Sequence, residues 1–305
     1  MHTKIRTGMA GGFIIAILGA LLFSTKAIFV KLAFQHTQVS AIHLLVLRML
    51  FSLPFYLIAA TYAHKTSTEK LTRKQWVLLA LMGILGYYLS SLFDFMGLQF
   101  VSAGLERLIL FLYPTFTVLI NTFYFKTKLK RIQVAALLLT YIGIGIAFLG
   151  EVKLDAGNIH FFLGIFMIFL CAVTYSIYLA GTGKLVPIIG STKYTAYVML
   201  FATMGVFAHF LITNHQNFGQ LLQPNLLIYG IALAIIATVL PSFLMNISMN
   251  KIGSNNVAII TSIGPVSTII QAHFFLDEPI FFLQLAGTAL VIAGILLIGW
   301  KPSLT

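Results

Sequence analysis

Apolar residues along this chain come in blocks, each close to the length of about 20 residues that a helix needs to cross about 30 Å of hydrocarbon. The pattern predicts ten helices, at roughly 10–33, 41–63, 75–97, 102–124, 132–150, 160–181, 192–213, 225–249, 254–275 and 280–299. Short connections join them and leave no room for a separate soluble domain within these 305 residues. The expected fold class is an all-α polytopic membrane protein. Lys4 and Arg6 precede the first run, as they would in a signal peptide. The run continues through Lys26 and Lys31 without a small-residue cleavage site, so it reads as a retained helix.

Composition agrees with the pattern: 59% of residues are hydrophobic and 9% charged, against about 25% charged in soluble domains. Cys171 is the single cysteine, which excludes an intramolecular disulfide framework. The net charge of +12 would suit nucleic acid if it formed one patch, but it does not. With the N-terminus placed inside, Lys4, Arg6, Lys65, Lys70, Arg73, Lys74, Lys126, Lys128, Lys130, Arg131, Lys184, Lys193, Lys251 and Lys301 all fall in inner segments. Among outer loops only Lys153 is basic, while Glu151, Asp155, Asp277 and Glu278 gather there. This is the bias of the positive-inside rule, and it predicts both termini in the cytoplasm.

A shift of 151 residues brings the second half onto the first, pairing Ser40 with Ser191, Ser91 with Ser242, Pro114 with Pro265, Thr117 with Thr268 and Gly143 with Gly294. Helix and loop boundaries fall in step under the same shift. Units of five helices must alternate in orientation, and the charges agree. The basic segment 126–131 would lie inside, while its counterpart Asp277-Glu278-Pro279 would lie outside. The expected organisation is two inverted five-helix repeats, 1–150 and 151–305, forming one integral unit. Such repeats are typical of alternating-access carriers with a site near the midplane.

Several segments carry a family resemblance: Phe23-Ser24-Thr25-Lys26-Ala27-Ile28-Phe29-Val30-Lys31, Leu47-Arg48-Met49, the proline in the fourth helix of each unit, and Phe275-Leu276-Asp277-Glu278-Pro279 before a Gly-rich last helix. The chain resembles the EamA-type, ten-helix branch of the drug/metabolite transporter (DMT) superfamily over nearly its whole length. It departs from that pattern at Lys126-Thr127-Lys128, where the family often carries an acid. The resemblance implies export or exchange of small polar, amino-acid-like metabolites across the bacterial inner membrane.

Six charges fall inside predicted helices: Lys26, Lys31, Arg48, Asp94, Glu106 and Arg107. Each costs roughly 2.5–3.5 kcal/mol at the bilayer centre on insertion scales if unpaired. All belong to the first repeat, which points to a specialised, water-accessible site rather than a symmetric structural role. Lys26 and Arg48 are the best anion contacts, because they can hold a carboxylate or phosphate. Asp94 is the acid that balances them or binds an ammonium, and Asp94 or Glu106 is the candidate proton partner. A structural Lys26–Arg48–Asp94 ion cluster is the competing reading, as are snorkelling for Lys31 and an interfacial position for Glu106 and Arg107. Tyr113, Tyr178 and Asn246 lie on polar stripes that complete the candidate substrate site. Pro54, Pro114, Pro241 and Pro265 fall within predicted helices, where each bends its helix. Pro114 and Pro265 are the candidate hinges.

The chain has no HExxH motif, and Gly181-Thr182-Gly183-Lys184 lacks the flanking residues of a P-loop. No cofactor, metal, ATP or nucleic acid is expected. The expected partners are a small-molecule substrate and the lipid bilayer, and the small-residue spacings do not decide an oligomeric state. A non-enzymatic carrier is the reading preferred here. A membrane-embedded lipid-modifying enzyme and a channel are the alternatives.

Overall fold

The computed structural model describes residues 2–66, 71–124, 126, 131, 134–135, 138–139, 141–146, 149, 160–213, 215–252, 260 and 263–299. Among these residues the chain is helical, with no strand. The helices are α1 (His2–His36), α2 (Ala41–Thr66), α3 (Arg73–Gly97), α4 (Ala103–Leu110), α5 (Tyr113–Phe123), α6 (Phe161–Ile189) and α7 (Ser191–Thr213). After a 3-10 segment at His215–Leu222 comes α8, in which Pro224–Ala234, a π turn at Ile235–Val239 and Leu240–Ile252 follow without interruption. The helices α9 (Gly264–Leu276) and α10 (Phe282–Gly299) complete the series. The described residues between 131 and 149 are helical as well, where the fifth span was expected.

Six of these helices are long and apolar enough to cross a bilayer. Large apolar side chains such as Ile14, Ile58, Val77, Ile212 and Phe274 stand exposed around the bundle. In water such a surface would drive aggregation, whereas against lipid tails it matches its surroundings. The fold is an all-α polytopic membrane fold. Its largest core joins α1, α2 and α8 through Ala27, Leu44, Leu47, Leu226 and Leu233. The helix α1 packs on α9 and on the Leu240–Ile252 part of α8, α2 packs on α7, and α3 packs on α6.

Local chemistry sets the helix ends. Thr72 and Gln75 form a reciprocal capping box at the start of α3. Gly190, at φ 86°, makes the tight turn from α6 into α7. The expected continuous helix at 102–124 is instead two helices, α4 and α5, separated by a turn at Phe111 and Leu112. Proline lacks an N–H and its ring conflicts with the carbonyl four residues back, so Pro114 is stable in the first turn of a new helix rather than inside an old one. Pro265 likewise lies in the first turn of α9. Pro54 does lie inside α2, as expected. The sixth span is longer than expected and runs on to Ile189, so Gly181-Thr182-Gly183-Lys184 is helical, its backbone not a phosphate-cradling loop.

The two halves share irregular features at one spacing. The π turns start at Ile84 and Ile235, the helices α3 and α8 start at Arg73 and Pro224, and α5 and α9 start at Tyr113 and Gly264. Among the described residues two non-glycines have positive φ, Lys126 and Asp277, both at 54°. Each of these pairs is 151 residues apart.

Candidate functional site

Arg48, about two turns into α2, is buried. Its Nε donates to Thr238 Oγ1 at 2.8 Å and its Nη1 to Ser91 Oγ at 2.9 Å. The guanidinium carbon lies 5.6 Å from the ring centre of Phe95. Both hydroxyl partners depend on the π turns. Thr238 sits within one and donates to the carbonyl of Leu233, five residues back, at 2.7 Å. Ser91 follows the other by two residues. Wide turns of this kind re-aim side chains and often mark functional positions. Arg48 therefore joins α3 and α8 at their irregular points, holding neutral hydroxyls. Among the described residues no carboxylate lies within 4.0 Å of it. Ser52, one turn further along α2, is fully buried, and its hydroxyl has no hydrogen-bond partner among the described residues.

Lys26 is engaged differently. Its Nζ lies 2.7 Å from Asp94 Oδ2, and both residues are buried. The carboxyl of Glu106, fully buried on α4, is the neighbour of Asp94. Arg107, the next residue, donates from Nε to Thr268 Oγ1 at 3.0 Å and from Nη2 to the Phe23 carbonyl at 3.4 Å. Two acids and two bases thus share one buried neighbourhood contributed by α1, α3 and α4. Mutual compensation of this kind is what makes such burial tolerable. Lys31 reaches the carbonyl of Val101 at 2.9 Å.

A line of phenols extends from this centre. Tyr113 packs edge-on against Tyr175 at 5.2 Å, Tyr175 lies 5.6 Å from Tyr178, and Tyr178 meets Tyr87 at 5.2 Å and Tyr194 at 6.4 Å. Gly86 makes the approach of α6 to α3 possible, because a Cβ there would collide with the ring of Tyr178. Thr182 hydrogen-bonds the Tyr194 hydroxyl at 2.7 Å and closes the row. Tyr56 bonds Ser242 at 2.9 Å. Beside that pair, α2, α7 and α8 enclose a cavity of about 90 Å³, far below the ~300 Å³ of ordinary ligand sites.

The structure thus brings Lys26 and Asp94 into contact, places Glu106 beside them, and sets Arg48 one helical turn along α3 through Ser91. Tyr113 and Tyr178 fall in the phenol row. Asn246 lies in α8, and its side chain falls outside the described residues. Thr238, Phe95, Tyr175 and Tyr194 were missed as site residues in the sequence. A signal for Thr238 existed, since it precedes Ser242 and Asn246 by steps of four on the α8 stripe.

The EamA-like transporter family matches the chain twice, over residues 10–149 and 162–300. The uncharacterized transporter YcbK of Bacillus subtilis (strain 168) is 32% identical over 296 residues, covering 94% of this chain and 91% of that protein. An uncharacterized transporter of Clostridium kluyveri is 24% identical over 221 residues, covering 72% of this chain and 71% of the relative. A crystal structure at 18% identity superposes with a TM-score of 0.66 over 95% of this chain and 96% of its own, which shows a shared fold. With buried charges inside a lipid-facing helical bundle and a family match over both halves, the chain belongs to the EamA-like transporter family and is a multi-pass membrane transporter.

Proposed function

We propose that this transporter moves small zwitterionic, amino-acid-like metabolites by alternating access, exporting or exchanging them across a bacterial inner membrane with both termini in the cytoplasm. The observation that carries the reading is Arg48. It is a buried guanidinium held by two neutral hydroxyls, with no carboxylate within 4.0 Å among the described residues. A guanidinium offers five N–H donors in a planar fork, and Ser91 and Thr238 use two of them. The remaining donors and the unpartnered Ser52 hydroxyl suit a substrate carboxylate. Asp94 lies three residues beyond Ser91 on α3, a rise of about 4.5 Å, with Glu106 beside it. These carboxyls suit the ammonium of the same molecule, the Lys26 pair loosening as it binds. In this reading Tyr113, Tyr178 and Asn246 line the route.

The inverted arrangement of the repeats is part of the same proposal. The 151-residue spacing of π turns, helix starts and left-handed residues supports it, as does the reversal of loop charge between the halves. Arg48 bonds across the two halves, so motion of one against the other would remake its contacts.

The test is counterflow in proteoliposomes with a radiolabelled panel of α-amino acids. Saturable exchange of at least one zwitterion is expected, with Arg48→Ala and Arg48→Lys both reducing it at least about tenfold, because an ammonium does not reproduce the fork. Steady, non-saturating ion current or turnover of bilayer lipid would overturn the carrier reading. Full exchange by Arg48→Ala would overturn the site.

A further inference from the structure

We infer that Glu278 is a latch that holds the outer end of the bundle shut by gripping the N-terminus of α4. The inference rests on the orientation and inverted repeat proposed above. Glu278 follows α9, in the half of the chain opposite to α4. Its Oε1 accepts the Ala103 N–H at 3.0 Å, while its Oε2 lies 3.2 Å from the same nitrogen and 3.5 Å from that of Gly104. The first N–H groups of a helix have no partner within it, and they present partial positive charge. Ser102 takes one of these groups, that of Leu105, at 3.0 Å. Glu278 takes its share from a different part of the fold, so it ties as well as caps.

The backbone sets the carboxylate in place. Asp277 adopts the left-handed conformation at the end of α9, and the Glu278 N–H bonds the Ala272 carbonyl at 3.3 Å. Lys31 pins the connection just before α4 through the Val101 carbonyl. The helix so held carries Glu106 and Arg107 one turn in, so moving α4 would rearrange the charge cluster. At the inner end the repeat supplies different chemistry. The residue 151 positions before Glu278 is Thr127, and 151 positions after Lys31 is Thr182. Thr127 carries no charge to offer a helix N-terminus, and Thr182 bonds the Tyr178 carbonyl and Tyr194 hydroxyl instead. Glu278 and Lys31 both lie toward the outer end in the proposed orientation, so outer opening is the step that must break their ties.

Cys171 is a built-in reporter. It is the single cysteine of the chain, buried on α6 in a cluster with Val101, Leu105 and Ile109. It is shielded while α4 stays in place. The experiment labels full-length protein with a membrane-impermeant cationic methanethiosulfonate, in right-side-out and inside-out vesicles. In right-side-out vesicles Glu278→Gln, and more so Glu278→Ala, is expected to label roughly tenfold faster than wild type, the size of one lost charge-assisted hydrogen bond. Ser102→Ala removes the Leu105 cap from the same helix while keeping the Glu278 carboxylate, and is expected to label like wild type. If Ser102→Ala labels as fast as Glu278→Ala, Glu278 is an ordinary cap and the latch is overturned. If neither Glu278 variant gains in either vesicle, the latch is overturned as well. A gain confined to inside-out vesicles supports the latch and overturns the orientation. Should Glu278→Ala fail to accumulate, the near-isosteric Glu278→Gln decides the outcome alone.

Discussion

At the scale of single residues, the decisive contrast is between two buried cations. Lys26 has an acid at 2.7 Å, whereas Arg48 has hydroxyls at 2.8 and 2.9 Å. Breaking a buried pair by removing one partner leaves an uncompensated charge and typically costs about 3–5 kcal/mol, while removing both costs far less. Lys26→Met alone is therefore expected to lower thermal stability in detergent by an amount in that range. Adding Asp94→Asn should recover most of the loss. A double variant no more stable than the single one would mean that Asp94 draws its support from Arg107 instead. That these residues matter was legible in the sequence, because a charge inside an apolar run has few physical explanations. Their partners were not legible: Thr238 is a common residue type in a membrane helix, and its pairing with Arg48 spans 190 positions.

At the scale of elements, apolar runs located the helices well because the bilayer demands a minimum length of unbroken apolar surface. The irregularities inside them were harder to see. No residue type announces a π turn, and the ones at Ile84–Leu89 and Ile235–Val239 emerge from packing. The sequence reads Pro114 as a bend where the structure has a restart, because proline predicts a disturbed helix without saying which. The first π turn contains Gly86, against which the Tyr178 ring lies in the space a Cβ would occupy. Gly86→Ala is expected to force α3 and α6 apart at a cost of about 1–3 kcal/mol. It should also weaken transport, since Ser91 sits just past that turn. Tyr178→Ala in the same chain relieves the collision, and its failure to restore stability would show that the glycine serves the backbone rather than the ring.

At the scale of the whole molecule, the +12 net charge is chiefly a statement about orientation, because most of the bases lie in the segments assigned to one side. The strongest test of that assignment uses two residues with the same backbone conformation. Lys126 and Asp277 are both exposed, both at φ 54°, and 151 residues apart. If the halves are inverted repeats, these equivalent corners lie on opposite faces of the membrane despite their matching geometry. One is basic and the other is not, in keeping with the positive-inside bias. In a Cys171→Ser background, Lys126→Cys should react with an impermeant maleimide only in inside-out vesicles and Asp277→Cys only in right-side-out vesicles. Reaction of both from the same face would refute the inversion, and with it the placement of Arg48 between two counter-moving halves. Reaction from opposite faces in the reverse sense would keep the inversion and place both termini outside.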